Sequence, residues 1–341
     1  MKRTDLFDRE QLHLLPLSQR VHDIQRDQIM MAPDGNRAQP FTDPSIPKIA
    51  AAMRSAKERN AAILFASGAH VLRCGNGPLL IDLMRRGLLT NLALNGAGSI
   101  HDFELAMIGA TCESVARYVS EGQFGLWQET TYYNDAIHAG AQDGLGVGES
   151  LGRWIVEHQY PYADTSVLAQ AWKMRCESAQ PDRSPRVTVH IAFGQDIVHE
   201  HPNFDPAATG VATYRDFLAF TRNVERLEGG VFLNIGTAVM GPEVYLKAIA
   251  MARNVAHQKQ PAQEICHFTT AVFDMANLGD DIHQTAPKTD PRYYFRPFKT
   301  VLVRTVADGG TSYYIRGDHR QTVPALYDAL REPGSPEIAQ T

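Results

Sequence analysis

The amino-acid sequence predicts an α/β fold in which a mostly parallel sheet is covered by helices on both faces. Along most of the 341-residue chain, short apolar runs alternate with amphipathic segments, and this alternation is typical of βαβ units. Two of the apolar runs end in small, glycine-containing segments, as strands of such sheets do where they turn into helices. The chain shows no internal repeat and no low-complexity tract.

The first strands and helices alternate regularly. Residues 61–66 are apolar throughout and predict a buried strand that ends at Ser67. Residues 78–86 predict a helix that Gly87 terminates. A second strand over 92–94 then leads into a helix with apolar residues from 103 to 108.

The second half of the chain continues the pattern. Strands are predicted over 187–193, 231–235, 268–273 and 300–306, and helices over 245–257 and 323–331. The glycine-rich residues 144–150 do not clearly follow a strand and predict a loop that leads into a helix.

The first 45 residues differ from the rest and predict an N-terminal arm, followed by a single α/β domain over 46–341. The arm combines a short helix over about 12–29 with a stretch rich in Pro, Asp, Asn and Gly. Residues 280–304 carry three prolines and an aromatic cluster, and a long connection of this kind is typical of a binding loop.

Composition excludes several classes of protein. A net charge of −5 argues against a nucleic-acid partner. Four scattered cysteines without a CxxC pair indicate reduced thiols. No apolar run approaches the roughly 20 residues that cross a bilayer, and the N-terminus lacks a signal-peptide core. We therefore expect a cytoplasmic protein without a membrane partner.

The strand ends carry the candidate ligand-binding segments, because ligands of parallel sheets bind outside the carboxyl ends of the strands. Residues 96–99 (Gly-Ala-Gly-Ser) open a helix and resemble the start of a dinucleotide fingerprint, although His101 stands where the third glycine belongs. Residues 67–70 (Ser-Gly-Ala-His) have the same character. Either segment can instead be an ordinary tight turn between strand and helix.

Polar clusters suggest further chemistry. His199 and His201 share a face in an extended chain and can bind a metal together with Asp196 or Asp205. They can equally be hydrogen-bonded loop residues, and our primary expectation is that no metal is bound. The acidic residues 102 and 104 lie in the first turns of a predicted helix, where simple capping is the alternative to a catalytic role.

The order of these segments resembles the deoxyhypusine synthase family from about residue 63 to residue 330. Residues 63–75 resemble the family's first strand and Thr-Ser-Asn loop. Residues 94–102 resemble its Thr-Ala-Gly-Gly-x-Glu-Glu cofactor turn, with His101 and Asp102 on the acidic pair.

Four later segments extend the resemblance. Residues 189–196 resemble Pro-Ala-Leu-Thr-Asp-Gly, and 235–239 resemble Gly-Gly-Gly-Val-Val. Residues 269–279 resemble Thr-Ala-Gln-Glu-Phe-Asp-Gly-Ser-Asp-Ser-Gly, which places Asp274 on a cofactor-contacting aspartate. Gly317 and Asp318 resemble the Ala-Asp-Ala-Ser segment. Their common order and spacing carry the resemblance.

The resemblance implies a Rossmann-like fold that binds NAD and works as a homo-oligomer, a dimer or a tetramer with active sites at dimer interfaces. The family oxidises spermidine and transfers its aminobutyl group to a lysine. Its nucleophilic lysine lies in Ser-Trp-Gly-Lys, whereas Lys299 here follows Arg-Pro-Phe. Met240-Gly241-Pro242 replaces the polyamine-contacting Lys-His-His. A true deoxyhypusine synthase is therefore not expected.

The leading functional prediction is an NAD-dependent enzyme, a transferase or oxidoreductase, acting on a small substrate such as an amine or polyamine. Two alternatives stay open: a non-catalytic nucleotide-binding or assembly protein, and a metal-dependent hydrolase or lyase using His199 and His201.

The acidic residues that can contact the amino group of an amine substrate are Asp102, Glu104, Glu243 and Asp280. The predicted catalytic residues are His101, Asp102 and Lys299. The predicted substrate-binding residues are Glu104, Gln195, Asp196 and Glu243. The predicted cofactor-binding residues are Ser67, Gly68, Ala69, His70, Gly96, Ala97, Gly98, Ser99, Gly236, Asp274 and Asp318.

Overall fold

The computed structural model describes residues 6–35, 41–279 and 281–331. Its strands are β1 (Ile24–Gln25), β2 (Ile63–Ser67), β3 (Asn91–Asn95), β4 (Ala110–Thr111), β5 (Arg186–His190), β6 (Val231–Ile235), β7 (Thr269–Asp274) and β8 (Thr311–Arg316). Its α-helices are α1 (Arg26–Ile29), α2 (Ser45–Glu58), α3 (Ala69–Arg73), α4 (Gly77–Arg85), α5 (Gly96–Ile108), α6 (Val115–Ser120), α7 (Tyr132–Gln142), α8 (Val147–Glu157), α9 (Val167–Glu177), α10 (Pro206–Val224), α11 (Met240–His257) and α12 (His319–Arg331). No helix in the ranges just given is long and apolar enough to cross a membrane.

Six strands form one sheet in the order β5-β3-β2-β6-β7-β8, and every neighbouring pair is parallel. Numbered along the chain, this is the 3-2-1-4-5-6 order of a doubly wound Rossmann-like sheet. After β2, the strands β3 and β5 extend the sheet toward one edge. The chain then returns to the other side of β2, where β6, β7 and β8 extend the sheet toward the opposite edge. The predicted α/β class with a mostly parallel sheet is confirmed, and the switch point lies between β2 and β6.

Alternation along the strands produces two hydrophobic cores, one on each face of the sheet. In β2, Ile63 and Phe65 pack into the core formed with α2, α4, α5, α8, α9 and α12. Leu64 and Ala66 point the other way, into the core formed with α10 and α11. Helices therefore cover both faces, as the sequence predicts.

The prediction of a strand over residues 300–306 is wrong. Residues 300–304 belong to a π-helix over Pro297–Arg304, and residues 305 and 306 lie in the turn that follows. β8 is the last strand of the sheet. The hydroxyl groups of Thr270 and Ser312 donate hydrogen bonds of 2.8 and 2.7 Å to the carbonyl oxygens of Val301 and Leu302. Side chains of β7 and β8 thus satisfy carbonyl groups of the π-helix. An apolar run in the sequence does not reveal such contacts, so it cannot distinguish this helix from a strand.

The helix predicted over residues 12–29 is also wrong. This part of the chain forms short 3₁₀ turns, β1 and the single-turn α1. β1 pairs antiparallel with β4, with Ile24 opposite Thr111. Leu17 packs against the buried rings of Tyr118 and Trp127. Contacts with the body of the protein, and not local helix propensity, thus determine the conformation of this segment. Residues 1–5 and 36–40 lie outside the described residues, and the boundary of the arm at residue 45 stays a prediction.

Candidate active site

A cavity of about 490 Å³ opens at the carboxyl edge of the sheet, beside the residues that follow β3 and β5. Five predicted site residues line it: Ala97, His101, Glu104, Gln195 and Asp196. The arm contributes Arg20, Asp23 and Ile24 to the same wall. The cavity therefore lies where the doubly wound topology predicts a ligand site, and part of its lining comes from a distant segment of the chain.

A chain of hydrogen bonds connects His101 to the arm. Nδ1 of His101 lies 2.8 Å from the hydroxyl oxygen of Thr111. That hydroxyl donates to Oε2 of Glu104 at 2.6 Å. The other carboxylate oxygen of Glu104 accepts a 2.6 Å hydrogen bond from Nη1 of Arg20. Because the Arg20 and Glu104 side chains are only 1% and 3% exposed, this is a fully desolvated ion pair.

Burial keeps the His101 imidazole neutral. It lowers the pKa of His101 to about 4, with Arg73, Arg20 and His70 lowering it further and Glu104 opposing them. Nε2 of His101 makes no hydrogen bond within the described residues. At neutral pH a nitrogen without a proton can therefore accept a proton or a hydrogen bond from a molecule in the cavity.

Asp196 lies against the first residue of α5. A Cβ atom on Gly96 would lie 1.9 Å from Oδ2 of Asp196, so only glycine leaves room for this carboxylate. Burial raises the pKa of Asp196 to about 6, and a hydrogen bond from the Ala97 amide opposes the shift. The side chain stays one of the acidic groups available to a ligand.

The amides at the start of α5 are already engaged. The Asn95 side chain accepts a 3.0 Å hydrogen bond from the Gly98 amide, and Asp196 engages the Ala97 amide. The Ser99 hydroxyl donates to the Gly96 carbonyl oxygen at 2.7 Å. A phosphate group at this turn, the sequence expectation for residues 96–99, would have to displace the Asp196 carboxylate.

Two cavity-lining residues from the arm side and from α3 are not used in the fold. Arg73 and Asp23 line the cavity, are exposed, and make no side-chain hydrogen bond or ion pair within residues 6–35, 41–279 and 281–331. An unpaired cation and an unpaired anion at one cavity are groups that a charged ligand can satisfy.

Asp102 does not line the cavity, although it follows His101 in the sequence. It is 4% exposed and accepts hydrogen bonds from the Ser166 hydroxyl at 2.5 Å and from the Val167 and Leu168 amides at 3.0 and 3.2 Å. These are the first residues of α9, so Asp102 caps that helix. The structure therefore places the Asp102 carboxylate at the start of α9, and its catalytic role stays a prediction.

A second feature is the switch point of the sheet, where doubly wound folds bind ligands in a crevice. We call the residues that follow β2, β6 and β8 there the switch-point crevice. A Cβ atom on Gly68 would lie 1.9 Å from the carbonyl oxygen of Gly236, so the two backbones are in direct contact. The His319 ring packs over Gly236, and the His70 ring lies 6.1 Å from it. Nδ1 of His319 is buried and has no partner among the described residues.

Two predicted cofactor aspartates border this crevice. Asp318 is paired with Arg320, whose guanidinium lowers the pKa of the Asp318 carboxyl to about 2. Asp274 accepts hydrogen bonds from the Met275 and Ala276 amides at 2.7 and 3.0 Å. The structure thus brings the predicted residues Ser67, Gly68, Ala69, His70, Gly236, Asp274 and Asp318 to one edge of the sheet. The Gly236 carbonyl group and the His319 ring fill the space beside the two glycines. The features there that fit a dinucleotide are the Asp274 carboxylate and the orphaned buried nitrogen of His319.

Lys299 and Glu243 lie away from the cavity, on the opposite face of the sheet. Lys299 is a buried residue, and its ammonium group lies 4.4 Å from the centre of the Tyr293 ring. Its π-helix packs into the core of α10 and α11, whereas α5 belongs to the other core. Glu243 pairs with Lys247 and Arg296. The structure therefore does not bring Lys299 to His101, and Asp280 lies outside the described residues.

His199 and His201 each use one ring nitrogen in the fold, whereas Nε2 of His199 and Nδ1 of His201 are buried without a partner among the described residues. The described residues bring no third ligand atom to them, and the alternative of a metal site there stays a prediction. Nδ1 of His199 accepts from the Gly194 and Asp196 amides, both at 3.2 Å. Nε2 of His201 donates to the Gly125 carbonyl oxygen at 2.8 Å. Elsewhere, donor atoms of His70, Cys74 and Asp318 lie within 4.8 Å of one another, but Arg320 already occupies the Asp318 carboxylate.

Sequence reasoning missed Arg20, Asp23, Arg73 and Thr111. Arg20 and Asp23 lie in the arm, which is joined to the body through β1 and β4. Thr111 follows α5 by only a few residues but carries no motif. Only the three-dimensional contacts identify these residues.

No family model and no curated protein match the chain. Solved structures match most of it at low identity. Apo ArgZ, an arginine dihydrolase from the ornithine–ammonia cycle in cyanobacteria, has 13% identity and a TM-score of 0.48, covering 85% of this chain and 33% of that one. A conserved putative LOR/SDH protein from Methanococcus maripaludis S2 has 13% identity and a TM-score of 0.47, covering 88% and 73%.

AgrE in a ternary complex with ornithine and NAD+ has 10% identity and a TM-score of 0.46, covering 87% of this chain and 34% of that one. The chain thus spans about a third of the length of ArgZ and AgrE. None of these three structures is described as a deoxyhypusine synthase. The likeness is a distant one of fold and assigns no activity.

Proposed function

We propose that the protein is an NAD-dependent enzyme that oxidises a small amine bound in the cavity lined by His101 and Asp196. The observation that carries the proposal is the neutral imidazole of His101 on the wall of a cavity at the carboxyl edge of the sheet. A base of this kind beside a dinucleotide-type crevice supports proton removal coupled to hydride loss. The proposal keeps the predicted NAD-dependent chemistry and not the deoxyhypusine synthase reaction.

The residues at the switch-point crevice would hold the cofactor. Oδ2 of Asp274 makes no hydrogen bond within the described residues and offers an acceptor for a hydroxyl group, and Nδ1 of His319 is a buried nitrogen without a partner there. Bound NAD+ supplies the acceptor for the hydride. On the protein side, Nε2 of His101 accepts the proton that the amine nitrogen loses as its bond to carbon becomes double.

The charges of the cavity favour an amino acid over a polyamine. Arg20 is neutralised by Glu104, which leaves the unpaired Arg73 guanidinium as a partner for a carboxylate. Asp23 and Asp196 are the acidic groups that can hold an ammonium group. A zwitterionic substrate satisfies both kinds of group, whereas a polyamine leaves Arg73 without a counter-charge.

NAD binding is the first test of the proposal. We expect NAD+ at about a hundredfold its Kd to stabilise the protein by about 2.7 kcal/mol, measured as a rise in Tm. Asp274→Asn should abolish the rise, because it removes the charged acceptor whose Oδ2 makes no hydrogen bond within the described residues. Asp182→Asn, at an exposed position before β5, is the matched control. Absence of a rise in the unaltered protein would contradict the proposal.

The substrate class is tested with ornithine and putrescine, which differ only in the carboxylate. Hydrogen bonds to charged groups contribute about 1.5–3 kcal/mol, so Arg73→Gln should weaken ornithine binding by roughly tenfold to a hundredfold and leave putrescine binding unchanged. Calorimetric titration in the presence of NAD+ measures both. Arg183→Gln, at an exposed site before β5, controls for loss of net charge. An equal effect on the two ligands would exclude a carboxylate partner for Arg73.

A further inference from the structure

We propose that Thr111 and Glu104 are positioning residues that hold His101 in one tautomer, with the proton on Nδ1 and the lone pair of Nε2 directed to the cavity. Because it assigns roles to two residues that act through His101, this inference deepens the proposed function and rests on it for its catalytic consequence. The tautomer itself is a property of the folded chain and is measurable without substrate or cofactor.

Counting protons along the hydrogen-bond chain gives the tautomer. The Thr111 hydroxyl has one proton and lies 2.6 Å from Oε2 of Glu104 and 2.8 Å from Nδ1 of His101. The ion pair with Arg20 makes Glu104 a carboxylate, which only accepts. The hydroxyl proton therefore goes to Glu104, and Nδ1 of His101 is the donor available to the hydroxyl oxygen. The other neighbour of Nδ1 is Sγ of Cys112 at 3.9 Å, and a thiol is only a weak donor.

The opposite arrangement requires an unfavourable charge state. If Nδ1 accepted the hydroxyl proton, Thr111 would need a donor on its other side, and Glu104 would have to be protonated. The Arg20 guanidinium would then be a buried cation without an anion, which is costly in a desolvated site. The buried ion pair of Arg20 and Glu104 thus selects the tautomer of His101 through the Thr111 hydroxyl, which lies between Glu104 and His101.

The backbone holds the Thr111 hydroxyl in place. Thr111 is fully buried and pairs through β4 with Ile24 of the arm. The next residue, Cys112, has a φ of 64°, in the left-handed region that a residue with a Cβ seldom adopts. Such conformations persist only where the surroundings enforce them. The arm therefore supplies both Arg20 and the strand that fixes the hydroxyl.

The tautomer decides what His101 offers to the cavity. With the proton on Nδ1, Nε2 is an acceptor and can take a proton from an amine. With the proton on Nε2, the same ring presents a donor and cannot act as a base. A hydrogen-bond partner on the far nitrogen is the general way in which proteins set this choice.

Imidazole ¹⁵N NMR of the labelled protein tests the inference. We expect a single His101 signal pattern with a protonated Nδ1 and an unprotonated Nε2, assigned by its absence in His101→Gln. Thr111→Val, which removes the hydroxyl at similar volume, should convert this pattern into a mixture of tautomers or into the Nε2–H form. Thr111→Ser should restore it. With the proposed activity, Thr111→Val should lower kcat about tenfold to a hundredfold with little change in KM.

A control separates tautomer selection from general destabilisation. Thr270→Val removes another buried hydroxyl, which donates to the Val301 carbonyl oxygen, and should leave the His101 signals unchanged. A protonated Nε2 in the unaltered protein would overturn the inference, even if Thr111→Val fails to fold. An unchanged tautomer in folded Thr111→Val would overturn it as well. Loss of NAD binding with an unprotonated Nε2 would instead contradict only the proposed function.

Discussion

Arg20→Met is expected to lower the free energy of unfolding by about 3–5 kcal/mol, the usual effect of removing one partner of a buried ion pair. Its guanidinium lies 2.6 Å from Glu104, and both side chains are almost completely buried. Methionine fills part of the space but leaves the Glu104 carboxylate without a cation in a desolvated site. The same change removes a link between the arm and α5.

Urea unfolding of three variants measures this effect. Arg20→Met combined with Glu104→Gln should be more stable than Arg20→Met alone, because the uncompensated charge is gone and the amide oxygen can still accept from Thr111. Arg117→Met is the control, since Arg117 and Glu121 form an exposed pair on α6 that is worth under about 1 kcal/mol. If Arg20→Met costs no more than Arg117→Met, the ion pair does not hold the arm.

Most of the sheet is predictable from sequence because its strands are buried on both faces. Such strands read as continuous apolar runs, and the predicted run over 231–235 coincides with β6. β8 is at the edge of the sheet and mixes Thr, Ser and Arg with Tyr and Ile, so its pattern is weak. The apolar run at 300–306 was the stronger signal, but it forms a π-helix that packs on β7.

The candidate site was predictable where it follows the strand ends. The rule that ligands bind at the carboxyl edge led to Ala97, Gln195 and Asp196, which line the cavity. It could not separate His101 from Asp102, because consecutive helical residues differ by about 100° in direction. One therefore faces the cavity, and the other caps α9.

Residues from distant segments were beyond the reach of pattern reasoning. Arg20 and Glu104 are 84 positions apart, and no spacing rule relates an arm to the end of a helix. Lys299 was placed in the site by a family resemblance, whereas the fold packs its helix against the other core. The lining of this cavity thus depends on how the arm docks.

His101→Gln is expected to lower the rate of NAD-dependent amine oxidation by about 10²–10⁴-fold, the range that general bases contribute. Glutamine can still donate to the Thr111 hydroxyl but cannot take up a proton. The melting temperature and its rise with NAD+ should therefore stay close to those of the unaltered protein. Steady-state formation of NADH with ornithine measures the rate. His138→Gln, at an exposed histidine of α7 bonded to Asp205, is the matched control.

The pH dependence gives an independent check of the same residue. Burial lowers the pKa of His101 to about 4, so the imidazole becomes a base as the pH rises through that value and stays one at neutral pH. The charged and titratable groups that act on it are Glu104, Arg73, Arg20 and His70. We expect kcat/KM to fall on the acid side near pH 4, and this limb should disappear in His101→Gln. A residual rate in His101→Gln equal to that of His138→Gln would show that the proton leaves by another route, and Asp196, on the same cavity wall, would then be the base to test.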